Sequence, residues 1–85
     1  MGTRTVLCVE TGESVEEMAG AIKNEDGLEP ITATSISEAT DQLDSQSVDC
    51  VVTEYDLVDG TGMEIVERLR SDDPQTPVVL FTDVS

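Results

Sequence analysis

Glu10, Glu54, Asp56 and Asp59 are the side chains of this chain best suited to chemistry, because each sits at or just beyond the end of a short apolar run. Thr5-Val6-Leu7-Cys8-Val9 leads into Glu10, and Val48-Asp49-Cys50-Val51-Val52-Thr53 leads into Glu54, followed by an acidic loop from Tyr55 to Gly60. If the two runs are adjacent parallel strands, Glu10 and Glu54 share one crevice at the carboxyl ends of the strands, where open α/β sheets collect ligands. Paired carboxylates, backed by backbone carbonyls and water, suit a hard cation such as magnesium. The plainer reading is that Glu10 and Glu54 are solvated strand-end acids, and spacing alone leaves those two readings level; Asp56 and Asp59 are expected to lie in a solvated loop that adds negative charge nearby. Other chemistries have less support. The chain has no histidine, no phosphate-cradling glycine loop and no second cysteine pair to complete a zinc site. Counted from Glu54, the calcium-loop pattern fails at Val58 and Ile65, where ligands are required.

The elements that must position these acids are legible from periodicity. Thr5 to Val9 is a continuous apolar run of strand length, as expected for a strand covered on both faces. Ser14 opens a helix, with Glu17 at capping-box spacing and Val15, Met18, Ala19 and Ile22 on one face. Pro30-Ile31-Thr32-Ala33-Thr34 is less apolar and begins with proline, which suits a strand at or near a sheet edge. Ser37 is expected to cap a short helix carrying Ala39 and Leu43, and Val48 to Thr53 is the next strand. Thr61 is expected to cap a third helix with Met63, Ile65, Val66 and Leu69 facing inward and a Glu64–Arg68 pair outside. Ser71-Asp72-Asp73-Pro74 stops that helix before a fourth apolar strand, Pro77-Val78-Val79-Leu80-Phe81-Thr82. The order β-α-β-α-β-α-β predicts an α/β fold: a parallel sheet between helices in three layers, joined by right-handed crossovers. Residues 1–85 read as one domain, with no repeat, linker or low-complexity segment. The last strand has no helix after it, which would leave Val78 to Phe81 as an exposed apolar edge unless a second copy or further chain covers it.

Composition narrows the function classes. Nineteen acids against four basic residues give a formal net charge of −15. Such a chain repels nucleic acid phosphates, so this domain is not expected to bind DNA or RNA. The same charge is the pattern of an acidic protein from a halophile, where dissolved ions screen self-repulsion. No run approaches the ~20 apolar residues of a membrane helix and no secretory signal is visible, so a cytoplasmic protein off the membrane is expected. Cys8 and Cys50 are expected to be buried free thiols. Their different distances from Glu10 and Glu54 stagger them beyond the roughly 7 Å Cα separation that a disulfide tolerates.

Taken together, Val9-Glu10, the run Asp49 to Glu54 with Leu57 and Thr61-Gly62-Met63-Glu64, and Pro77 to Thr82 resemble the receiver domains of two-component response regulators. The resemblance covers the whole chain and implies a flavodoxin-like fold, here truncated after the fourth strand and without the family's fifth strand and last helices. In the family the third strand ends in the aspartate that accepts a phosphoryl group from a sensor histidine kinase; the matching residue here is Glu54. The family's magnesium-binding acid pair matches Glu10 and Thr11, so one carboxylate of two is kept, and the third metal contact would be the backbone carbonyl of Asp56. Thr82 matches the switch hydroxyl, Asp83 stands where the family usually has a small residue, and Val58 replaces the usual proline. The lysine that pairs with the phosphoryl group has no counterpart; Lys23 lies on the first helix.

The resemblance with these departures implies a pseudo-receiver. Such a module belongs to a phosphorelay-type regulator and contacts other signalling proteins or an output domain without aspartyl phosphorylation. It has no catalytic residues of its own. Two alternatives stay open: an active receiver phosphorylated with Mg2+ on an acid of the Glu54–Asp59 loop, and a divalent-cation-binding interaction module. A homodimer through the fourth strand is a further expectation.

Overall fold

The computed structural model of the chain describes residues 2–12 and 14–82. Four parallel strands form the main sheet: β1 (Arg4–Val9), β2 (Leu28–Ala33), β3 (Cys50–Glu54) and β6 (Val78–Phe81), in the order β2-β1-β3-β6. They alternate with α1 (Ser14–Lys23), α2 (Ile36–Ser45) and α3 (Met63–Asp72). Two short strands, β4 (Asp56–Leu57) and β5 (Gly60–Thr61), pair antiparallel between β3 and α3. This hairpin is absent from the expected β-α-β-α-β-α-β order, because two residues on each side are too few to show a period of two.

The continuous apolar character of β1 follows from its central position. Leu7, Cys8 and Val9 have no exposed surface. On one face, Leu7 and Val9 join Ala33, Val51, Ala39, Leu57, Ile65 and Leu69, so α2 and α3 cover this side. On the other, Val6 and Cys8 pack with Val15 and with the half-buried Met18, Ile22, Leu28, Cys50 and Val52, so α1 covers that side. Helices on both faces of a parallel sheet make the three layers, and the fold is flavodoxin-like. Fully burying a side chain such as Leu7 or Ile65 stabilises by about 1.5–3 kcal/mol relative to leaving it in water.

Register is fixed at both ends of β1. Arg4 lies opposite Leu28 and Val9 opposite Ala33, while Val6 lies opposite Cys50 and Val9 opposite Thr53. Asp49 locks the start of β3 to β1: its carboxylate accepts from Thr5 N–H at 2.8 Å and its own N–H donates to the Thr5 carbonyl at 2.9 Å. Pro30 sits inside β2 rather than at its start, opposite Val6. The edge position tolerates it, since proline has no N–H to donate and an edge strand has a side on which no ladder partner needs one. At the other edge, Val79 is 53% exposed. Alternation places it on the α1 side of the sheet, and α1 packs on β1 and β2.

Two helix starts and one ion pair differ from expectation. Ser35, not Ser37, caps α2: its hydroxyl oxygen accepts from Glu38 N–H at 3.1 Å. Glu38 answers by accepting from Thr34 N–H and Thr34 Oγ1, at 2.7 and 2.9 Å. Ser37 is one of several cap-type residues in Thr34-Ser35-Ile36-Ser37, and the cap falls on the one whose third neighbour is a glutamate. Thr61 lies in β5, and Gly62 takes the N-cap place before α3 without a side-chain hydrogen bond. Glu64 does not pair with Arg68; it turns back to accept from Thr61 N–H at 3.3 Å. Arg68 instead bridges α3 to α2, pairing with Asp44 and, at 3.3 Å, with Asp72. The Ser14 side chain, and with it the expected Ser14–Glu17 capping box, lies outside what the structure describes.

Candidate site at the carboxyl ends of β1 and β3

Val9 lies opposite Thr53, so the next residues, Glu10 and Glu54, follow at the same level on adjacent strands. Glu54 is the last residue of β3 and is 7% exposed. A buried carboxylate requires hydrogen-bond donors to offset its lost hydration, and Thr11 supplies them. Glu54 Oε2 accepts from Thr11 N–H at 3.2 Å and from Thr11 Oγ1 at 3.3 Å. The β1–α1 loop is thereby tied to the end of β3. Glu10 is half-exposed, and its N–H extends the β1–β2 ladder to the Ala33 carbonyl at 3.2 Å.

Glycines allow the loop after Glu54 to fold back against the strand ends. Gly62 N–H donates to the Tyr55 carbonyl at 2.7 Å. A Cβ at Gly62 would collide with the Glu54 carbonyl oxygen and lie 2.8 Å from Leu80 Cδ1 and 3.1 Å from Thr53 Oγ1. Gly60 has φ +150°, and a Cβ there would collide with the Glu64 carboxylate and lie 2.7 Å from Ile36 Cδ1. Both positions therefore favour glycine, the first for space against the β3 backbone and the second for backbone conformation.

Asp59 occupies the hairpin turn and is not merely solvated. Its carboxylate accepts from Ile36 N–H at 2.8 Å and Ser37 N–H at 3.1 Å, capping α2 from a different part of the chain. Those bonds hold its carboxyl below the usual aspartate range, chiefly through the Ile36 N–H. Nothing in the local sequence signals this contact, which joins residues 22 and 23 apart. The Thr11–Glu54 contact, by contrast, follows once the β1–β3 register is known.

Asp56 is exposed and sits opposite Thr61 in the hairpin. Thr82 is exposed just past β6, where Phe81 is opposite Glu54. Asp83 lies outside the described residues. Cys8 and Cys50 are both free and share the α1 side of the sheet, with Cys8 opposite Val52 and Cys50 opposite Val6. Burial first, then Cys50 and Glu10 nearby, pushes the Cys8 thiol up to about 11.

Among the described residues, no group of three or more histidine, cysteine, aspartate or glutamate side chains is placed to hold a metal ion. A cavity of about 490 Å³ lies at the opposite end of the sheet, lined by Leu43, Asp44, Val48, Asp49, Arg68 and Asp72 among others. It opens beside the start of β3, whereas ligands of open α/β sheets gather beyond the strands' carboxyl ends.

The strand order 2-1-3-6 with helices on both faces is an architecture that known proteins share. The pattern described as the response regulator receiver domain matches residues 6–85. The chain belongs to that family. Among its relatives, the response regulator protein PilR of Pseudomonas aeruginosa is 27% identical over 82 residues, which is 96% of this chain and 18% of PilR. The probable transcriptional regulatory protein TcrX of Mycobacterium tuberculosis is 33% identical over 78 residues, 92% of this chain and 33% of TcrX. The receiver thus spans a third or less of the length of either relative. Among solved structures, the non-phosphorylated HemR receiver domain from Leptospira biflexa superposes with a TM-score of 0.81 at 26% identity, over 94% of this chain and 64% of that one. Receivers of response regulators are two-component signalling modules that work through other signalling proteins and output domains. No helix among the described residues of this receiver is long and apolar enough to cross a membrane.

Proposed function

We propose that this receiver is a pseudo-receiver: a signalling module in the cytoplasm that acts through surface contacts with a signalling partner or output domain, without aspartyl phosphorylation and without enzymatic activity. The observation that carries the reading is Glu54. A glutamate stands at the end of β3 in the phosphoacceptor place, its carboxylate buried and engaged by two donors of Thr11. Phosphoryl transfer depends chiefly on positioning the attacking oxygen in line with the leaving group, and one extra methylene displaces it. An oxygen already accepting two hydrogen bonds is also a poorer nucleophile. The carboxylate serves instead as a fixed negative charge at the place where a receiver would carry its phosphoryl group. Thr82, exposed at the end of β6, is the switch residue such a charge would address.

Incubation with a small acyl phosphate and millimolar MgCl2, followed by intact-mass measurement, tests this reading. Unchanged mass is expected. A product carrying one added phosphoryl group on Glu54, Asp56 or Asp59 overturns it in favour of an active receiver using Glu10, Glu54 and the Asp56 carbonyl around a cation. The β6 edge with exposed Val79 is where a second copy would add a strand. Light scattering after size exclusion tests that contact, and a monomer at micromolar concentration refutes it.

A further inference from the structure

We infer that Thr11 replaces the cation of this site: its N–H and hydroxyl hold Glu54 in the fixed position that a divalent ion would otherwise impose, so the site is set without metal. The inference rests on the receiver reading of Glu54 but not on whether that residue is phosphorylated. Three observations carry it. Both donors of Thr11 converge on the same oxygen, Oε2, at 3.2 and 3.3 Å. Glu54 is 7% exposed, so little water competes for its carboxylate. Mg2+ takes one or two carboxylates and fills its octahedral shell with other oxygens, whereas the residue against Glu54 is a threonine whose N–H and hydroxyl point at the carboxylate oxygen a cation would need; among the described residues no three metal-ligating side chains gather. The donor set therefore does not fit the magnesium that the family resemblance implies. An acid at position 11 would bring a second carboxylate against Glu54, and like charges in one buried crevice repel unless a cation or a shared proton lies between them. A threonine there turns the same contact from repulsion into attraction. Thr11 is thus a positioning residue acting through Glu54, joining the β1–α1 loop to β3 permanently rather than on ion binding.

The test is 1H–15N NMR of the whole chain titrated with MgCl2 at constant ionic strength, with no phosphodonor present. In the wild type, the amides of residues 10–12 and 54–56 should show no saturable shift up to about 10 mM. Thr11→Asp should gain a saturable response confined to those residues. Amide exchange supplies a second readout: Thr11 N–H should be protected in the wild type and in Glu54→Gln, which keeps an acceptor. In Glu54→Ala it should exchange about tenfold faster, as expected for losing a hydrogen bond to a charged group. A saturable wild-type response centred on Glu10, Thr11 and Glu54 overturns the inference. So does a Thr11→Asp variant that stays silent to Mg2+, or a Thr11 amide indifferent to Glu54→Ala. If Thr11→Asp does not fold, the wild-type titration and the two Glu54 variants decide alone. Phosphorylation is read by mass in a separate experiment, so either reading can fail without the other.

Discussion

Gly62→Ala should destabilise this receiver, although Gly62 already has backbone angles that alanine adopts freely, φ −60° and ψ −17°. The cost is therefore steric. The added methyl collides with the Glu54 carbonyl oxygen and falls 2.8 Å from Leu80 Cδ1 and 3.1 Å from Thr53 Oγ1. Leu80 can rotate, but the carbonyl belongs to the last residue of β3 and moves only with the strand. Overpacking of that kind costs about 1–3 kcal/mol, and the upper end applies where backbone must shift. Against it stands the gain of about 0.4–1 kcal/mol from restricting the unfolded chain. The net loss is about 2 kcal/mol, which in a chain of this size lowers Tm by roughly 10 °C. Gly20→Ala is the control, because a Cβ at Gly20 meets nothing within 4 Å. In the interior of α1 that substitution should gain up to about 1 kcal/mol. Thermal unfolding followed by far-ultraviolet circular dichroism compares them. If Gly62→Ala unfolds within a degree or two of the wild type, the close packing of the β5–α3 turn on β3 is not what holds this end of the sheet together.

Asp59→Asn should weaken the tie between the hairpin and α2 in a pH-dependent way. The folded pKa of Asp59 is below its ordinary 3.8. Its contribution is therefore fully present above the unfolded pKa and is lost as pH falls through the lower folded value. The stability gap between wild type and Asp59→Asn, measured by urea unfolding, should be constant near neutrality and close in acid; a gap unchanged down to pH 2 would contradict the capping role. With a thiol reagent in native buffer, Cys50, which is half-buried, should react first. Cys8, with no exposed surface and its pKa near 11, should wait for unfolding. Two thiols reacting at one rate would refute that order. Because the net charge is −15, raising KCl from 0.05 M to molar concentrations should raise Tm by screening self-repulsion. An unchanged Tm would remove the argument for a high-salt source.

Apolar runs made the fold legible: a strand covered on both faces has to be apolar throughout, as β1 is, and β3 and β6 are apolar enough to read as strands although β6 is only partly covered. The helix faces were readable for a related reason: Val15, Ala39, Ile65, Val66 and Leu69 keep the spacing that a core imposes. Helix ends were less legible. Ser35 and Ser37 are chemically equivalent caps, and the choice between them rests on the carboxylate of Glu38. The Glu10–Glu54 neighbourhood follows from register, which apolar runs of similar length define well. The Asp59 contact with α2 does not follow, since it depends on where a hairpin of four paired residues folds in space. Thr11 was readable as a departure from the family's acid pair, but its two hydrogen bonds appear only when the loop is seen against β3.

The strand order 2-1-3-6 also has a consequence for how the chain assembles as it is made. β2 adds to one side of β1, β3 to the other, and β6 to the free side of β3, so each new strand joins an existing border and none has to insert between two partners. Parallel pairing is slow because long loops must close before contacts form. A sheet that only grows outward avoids the further cost of reopening pairs already made. Synthesis from the N-terminus and folding from the centre then run in the same direction. The oldest strand becomes the best-buried one, and the unpaired border exposed at any moment is the docking place for the strand emerging next.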